Sequence, residues 1–159
     1  MKARRRFLGA AGLFTTGLLS RLSFAQNASL SRDDYFANFN PDALVKRVTG
    51  QTAQRGRVAL ELPILADNGN SVPMKVTVQS PMSEADHVKT VRLLSERNPE
   101  TQMAVFHLGP QAGAAEITSR VRLAGSQRVV ALAEMSDGSY WMGTADVVVT
   151  LSACVDGTG

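Results

Sequence analysis

From Arg55 onward, apolar residues recur at every second position. Val58, Leu60, Leu62 and Ile64 alternate with Ala59, Glu61 and Pro63, and Val72, Met74, Val76 and Val78 alternate with Pro73, Lys75, Thr77 and Gln79. A period of two places one set of side chains on one face of a strand. Between these runs, Asp67-Asn68-Gly69-Asn70 predicts a hairpin turn, because Asn-Gly tolerates positive φ. Ile117, Ser119, Val121 and Leu123 repeat the pattern against Glu116, Thr118, Arg120 and Arg122. Ala104, Phe106 and Leu108 form a further candidate strand before Gly109-Pro110. Arg128 to Met135 is apolar without alternation, as expected of a central strand buried on both faces. Asp137-Gly138 turns it into Tyr140 to Leu151. His87 to Arg97 is ambiguous: Val88, Val91 and Leu94 fit a helical face, yet Val88 to Leu94 also fits a strand. Counting it gives about seven strands and an all-β sandwich.

Upstream the period changes. Asn40 can cap a short helix, Pro41 suits its first position, Leu44 and Val48 share a face, and Thr49-Gly50 can end it. Residues 26 to 40 read as polar and irregular, with Tyr35, Phe36 and Phe39 as anchors. The expected organisation is a leader over 1–25, an N-terminal segment with a short helix over 26–54, a β-sandwich over 55–151 and a C-terminal arm over 152–159.

Charge sharpens the picture of the leader. The formal net charge of +3 comes from 17 bases and 14 acids. Five of those bases (Lys2, Arg4, Arg5, Arg6 and Arg21) lie in the first 25 residues, which hold no acid. The remainder is slightly acidic, which argues against a nucleic-acid binder. The leader itself runs from basic residues through an apolar Phe7–Leu19 stretch to Ser23-Phe24-Ala25. This is the pattern of an export signal cleaved near Ala25, too short and Gly-rich for a stable membrane span. Arg4 and Arg5, with Phe7 and Leu8, fit the twin-arginine pattern, so the expected compartment is the periplasm, with no membrane association after cleavage.

The chain has one cysteine, Cys154. In an oxidising compartment it has no intrachain disulfide partner. It follows the last predicted strand, within Ser152-Ala153-Cys154-Val155-Asp156-Gly157-Thr158-Gly159, a run too poor in apolar bulk to pack and therefore read as a mobile tether. No Lys or Arg follows Arg128 to favour the thiolate, and Asp156 disfavours it. Such a thiol suits a handle for other enzymes better than a self-sufficient nucleophile. An incidental terminal thiol fits the composition equally well. Other constellations are weaker. His87 and His107 lack metal-ligand spacing, and the six methionines show no copper-binding cluster. Arg120, Arg122 and Arg128 read as a solvated sheet face before an anion patch, and Tyr140-Trp141 reads equally as interface anchor or core. No metal site and no resident cofactor is expected.

Four segments together resemble the SoxY family. They are Ser80-Pro81-Met82-Ser83-Glu84-Ala85-Asp86-His87-Val88, Phe106-His107-Leu108-Gly109-Pro110, Arg120 to Gln127, and Ala133-Glu134-Met135-Ser136-Asp137-Gly138-Ser139-Tyr140-Trp141. The resemblance spans roughly residues 35 to 154. It implies an immunoglobulin-like antiparallel β-sandwich that pairs with a SoxZ-like subunit in a heterodimer. It also implies a periplasmic sulfur carrier rather than an enzyme. Thiosulfate would be conjugated to Cys154 by the cytochrome SoxAX, the hydrolase SoxB would release sulfate, and SoxCD, where present, would oxidise the remaining sulfane sulfur. Typical members end Gly-Gly-Cys-Gly-Gly. Here Ser152 and Ala153 precede the cysteine, and Val155 and Asp156 follow it. Two other readings stand beside the carrier: a divergent paralogue acting as a protein-binding module, and an independent thiol sulfurtransferase or peroxidase.

Overall fold

The structure is a computed structural model that describes residues 36–152. Among these residues, one helix precedes nine strands. The helix α1 spans Pro41–Thr49. The strands are β1 (Gln54–Arg55), β2 (Val58–Glu61), β3 (Leu65–Asn68), β4 (Val72–Val78), β5 (Val88–Ser95), β6 (Gln102–His107), β7 (Ala115–Val121), β8 (Gln127–Met135) and β9 (Tyr140–Leu151), with a 3-10 turn at Pro110–Ala112. The larger sheet runs β1-β9-β8-β5-β6, with β3 also on β9, and the smaller runs β2-β4-β7. The all-β sandwich is as the alternation predicts.

Helix α1 begins as its sequence dictates. The Asn40 side chain accepts from the amide of Ala43 at 3.0 Å, and Gly50 closes the helix in the left-handed region, at φ 72°. Leu44 and Val45 are buried against Leu94, Val130, Leu132 and Met142 on the outer face of the larger sheet. The inner face meets the smaller sheet through Met74, Val76, Val78 and Ile117 on one side and Val91, Leu93, Ala131, Ala133 and Met135 on the other. Strand β8 is therefore covered on both faces, which is why its sequence does not alternate. The ambiguous segment before Arg97 is a strand: β5 pairs antiparallel with both β6 and β8, and that central position outweighs its helical spacing.

Four expectations are corrected. The strand count is nine rather than about seven, and not every pairing is antiparallel: β1 and β3 both run parallel to β9. The run from Val58 to Ile64 is not one strand. It stops at Glu61, just before Pro63, a residue with no N–H to give a ladder, and the chain crosses to β9 as β3. Consequently Gly69-Asn70 does not join hairpin partners but links β3 in one sheet to β4 in the other. By contrast, Asp137-Gly138 does turn β8 into β9, with Gly138 at φ 81° and the amide of Ser139 donating to Asp137 at 2.8 Å.

Among the described residues no helix is long and apolar enough to cross a membrane.

Candidate functional site at the end of the last strand

Cys154 and the leader residues Arg4, Arg5, Phe7 and Leu8 lie outside the described residues, as does Tyr35. The structure does describe the ground from which the cysteine's segment departs. Strand β9 ends at Leu151 with Ser152 beyond it. A cluster of Ala66, Val72, Leu123, Val129, Val147 and Val149 holds this end of the sandwich together. The amide of Gly69 donates to the carbonyl of Leu151 at 2.8 Å, and the Thr150 hydroxyl donates to the carbonyl of Asp67 at 2.8 Å. Ser126 stitches the far side of the strand: its hydroxyl accepts from the amide of Val149 at 2.8 Å. Cys154 thus follows a firmly anchored strand by three residues, which at full extension span about 10 Å.

A buried polar network underlies the same end. Gln127 is 2% exposed. Its carbonyl oxygen accepts from the Ser95 hydroxyl, and its amide donates to Asn98 at 3.1 Å and to the carbonyl of Gly125 at 3.2 Å. The Ser95 oxygen also accepts from the amides of Arg97 (3.2 Å) and Asn98 (2.9 Å). Asn98 reaches on to the carbonyl of Arg122 at 2.7 Å and accepts from the amide of Ala124 at 3.0 Å. Two connections, β5–β6 and β7–β8, are locked together beside Ser152. No buried side-chain nitrogen or oxygen among the described residues lacks a partner.

Arg97 stands at this junction. Its guanidinium donates to the carbonyl of Ser126 at 3.1 Å. A Cβ placed on Gly125 would sit 3.4 Å from the Ser152 hydroxyl and 3.9 Å from the Arg97 guanidinium, so glycine leaves the space between them open. A cavity of about 380 Å³ opens here, lined by Phe36, Asn38, Phe39, Glu96, Arg97, Ser126, Gln127 and Arg128. Sequence periodicity gave none of Ser95, Arg97, Asn98 and Gln127 a role, because their meeting is long-range.

The other candidates resolve into structural roles. Arg128 forms an ion pair with Asp146, with a 2.8 Å bond, and lies over the rings of Phe36 and Phe39. Arg120 donates to Ser71 at 2.6 and 3.0 Å. Trp141 packs partly buried on the inner core, bonds to Ser139 at 3.1 Å and carries Arg57 over its ring at 5.0 Å; Tyr140 packs against the helix cluster. Met74, Met82, Met135 and Met142 are buried. His87 contacts the carbonyl of Ser83 at 3.0 Å, and His107 is exposed on edge strand β6. Among the described residues no three His, Cys, Asp or Glu side chains gather as a metal site would require.

Glu134 is a largely buried carboxylate on strand β8 of the larger sheet. Burial pushes its carboxyl up, but the hydrogen bond and charge of Lys89, with bonds from Arg92 and Thr90, outweigh that and hold it below the usual range.

Comparison with known proteins agrees with the sandwich and identifies the family. No curated protein matches the chain in sequence. Among solved structures, a superoxide reductase (neelaredoxin) from Ignicoccus hospitalis aligns with TM-score 0.52 and 16% identity, covering 59% of this chain and 80% of its own. A putative superoxide reductase from Thermotoga maritima aligns with TM-score 0.51 and 17% identity, covering 61% and 93%. At such identity the likeness shows the fold alone. The family model of the sulfur oxidation protein SoxY matches residues 45–154, from within α1 through all nine strands to the cysteine itself. The chain belongs to the SoxY family.

Proposed function

We propose that this protein is a periplasmic carrier that holds thiosulfate-derived sulfur covalently on Cys154 while other enzymes act on it. The observation that carries the reading is that the family match ends on Cys154, the chain's single cysteine. Its position three residues beyond an anchored strand supports the same role, because a cargo must enter another protein's active site while the carrier's body stays outside. The twin-arginine leader, Arg4 and Arg5 with Phe7 and Leu8, supports export to the periplasm.

Loading is a two-electron oxidation. The Cys154 thiol and thiosulfate join through a new S–S bond to give an S-thiosulfonate, releasing one proton and passing two electrons to the cytochrome SoxAX. Water then cleaves the bond between the sulfane and sulfone sulfurs in SoxB, releasing sulfate and leaving a persulfide on Cys154. SoxCD, where present, oxidises that sulfane sulfur. A SoxZ-like subunit completes the carrier as a heterodimer. The chain itself contributes the thiol and its presentation, not turnover. Ser152 and Ala153 keep side-chain volume small ahead of the sulfur, as entry into a narrow channel demands, though they are stiffer than glycine. Asp156 repels an incoming anion by about 1 kcal/mol at contact in water.

The test is the intact mass of the mature protein from thiosulfate-grown cells that express SoxAX. A reductant-labile adduct mapped to Cys154 is expected, and Cys154→Ser should abolish both it and thiosulfate oxidation while leaving the unfolding midpoint unchanged. An unmodified thiol in those cells would refute the carrier reading in favour of a binding paralogue, whose altered Ser152–Gly159 arm already departs from the family's usual ending. Turnover of thiosulfate by the isolated protein would instead point to an independent thiol enzyme.

A further inference from the structure

The edge of a sheet carries a row of N–H and C=O groups with no neighbouring strand, so it is where a sandwich can pair with another chain. Several edges here carry the usual protection. Strand β1 has two residues, one of them Arg55, and β3 has four, one of them Asp67. Strand β2 ends on Glu61, just before Pro63, and β7 carries Glu116 and Arg120. Short length, charge and proline each discourage strand addition. Strand β6 differs. It closes the larger sheet beyond β5 over six residues, Gln-Met-Ala-Val-Phe-His, with no Asp, Glu, Lys, Arg or Pro.

The ladder fixes which of its groups face outward. The amide of Leu108 donates to the carbonyl of Lys89 at 2.9 Å, and the antiparallel register with β5 is regular from His107 to Ala104. In such a ladder the groups that face a given neighbour belong to alternate residues. Ala104 and Phe106 therefore face β5 as Leu108 does, and Val105 and His107 turn N–H and C=O outward, where the sheet has no further strand. The side chains leave apolar surface at the same place. Met103, Ala104, Val105 and Phe106 are only half-buried. A cavity of about 410 Å³ opens between β6 and β7, with Met103, Ala104, Phe106 and Val121 in its wall.

Charge decides the occupant. A two-fold pairing of identical strands sets each group near its own copy, and like charges opposed across a strand pair repel. An uncharged edge is the kind that can pair with itself, and β6 is uncharged. The nearest cations on β5, Lys89 and Arg92, are held by Glu134 at 3.1 and 3.3 Å. Aromatic and β-branched side chains, here Phe106 and Val105, are those that pair well across strands. We infer that two copies of this chain associate by antiparallel pairing of β6 with β6 about a two-fold axis, joining their larger sheets into one continuous sheet. The inference stands apart from the carrier reading, since it needs neither Cys154 nor its cargo. Two short strands make an interface at the small end of the range, so the association is weak and reversible.

The experiment is sedimentation equilibrium of the mature protein carrying Cys154→Ser, which removes disulfide-linked dimers. It is run from about 1 µM to about 1 mM, on the chain alone or on the unit in which it copurifies with its partner subunit. The expected mass rises with concentration towards twice that of the unit. Val105→Pro removes an outward N–H and leaves the bonds to β5 in place, as an edge position allows. It should weaken association at least about tenfold, because the two-fold axis removes the bond twice. Urea unfolding followed by Trp141 fluorescence checks that this variant is folded. Val105→Thr, which keeps the N–H and the branched side chain, should associate like the parent. Hydrogen exchange of the Val105 and His107 amides should slow as the protein is concentrated. A mass that stays at one unit over the whole range overturns the inference, as does a dimer that Val105→Pro leaves unchanged, because its interface would lie elsewhere. Loss of the partner subunit from Val105→Pro, with no dimer of the parent, overturns it too and assigns the edge to a strand of that subunit. None of these results bears on the adduct at Cys154, so the carrier reading stands or falls by its own test.

Discussion

Replacing Gln127 with leucine tests whether the polar network beneath the end of β9 is a structural keystone. Leucine keeps the bulk of the side chain but removes its amide. Three hydrogen bonds are lost: from the Ser95 hydroxyl, to Asn98 and to the carbonyl of Gly125. At about 1 kcal/mol net for each, the loss is about 3 kcal/mol, and an acceptor stranded by leucine adds to it. Gln127 is 2% exposed, so bulk water does not replace those bonds in the folded protein. A cost of that size is a large fraction of the roughly 5–15 kcal/mol that holds a domain folded. Urea unfolding of the mature protein measures it, with the fluorescence of Trp141, the chain's single tryptophan, as probe. Trp141 sits partly buried at the other end of β9, so it reports global unfolding rather than the local change. The expected result is a lowered midpoint with an unchanged slope. A loss under about 1 kcal/mol would refute the reasoning, because it would mean that the β5–β6 and β7–β8 connections hold each other without Gln127.

Two more perturbations follow from the packing. Gly143→Ala drives a Cβ into the carbonyl of Val58, backbone that cannot swing aside, with the Val58 side chain only 3.3 Å away. Strand β2 must then lift from β9, and thermal unfolding should show a loss of at least about 2 kcal/mol, in the range for overpacked cores. Glu134→Gln removes the carboxylate that Lys89, Arg92 and Thr90 hold. Because the folded carboxyl titrates below its usual value, its stabilisation is present above the ordinary carboxylate pKa and is lost as pH falls through the folded one. Unfolding followed as a function of pH should therefore show the wild type losing its advantage over the glutamine variant on acidification, and a constant difference down to low pH would contradict the assignment.

The sequence by itself determined the sandwich, the capped helix and the one distinctive thiol. Period-two alternation over Val58–Ile64, Val72–Val78 and Ile117–Leu123, the Asn40-Pro41 start and the Asp137-Gly138 turn are local signals, each set by a few neighbouring residues. The family strings around Met82, His107 and Tyr140-Trp141 were equally legible. What only the tertiary structure decided is everything that depends on distant partners. The strand character of β5 comes from its place between β6 and β8, not from its own spacing. The break at Pro63 looked like a point within one strand, and only the crossing of β3 onto β9 revealed two. The ground beneath Ser152 was invisible for the same reason. Ser95, Asn98 and Gln127 are separated by up to 32 residues, and a hydrogen bond between buried amides leaves no periodic mark along a chain. Alternation reports which face of an element avoids water. It cannot report which polar groups will meet once the faces are closed.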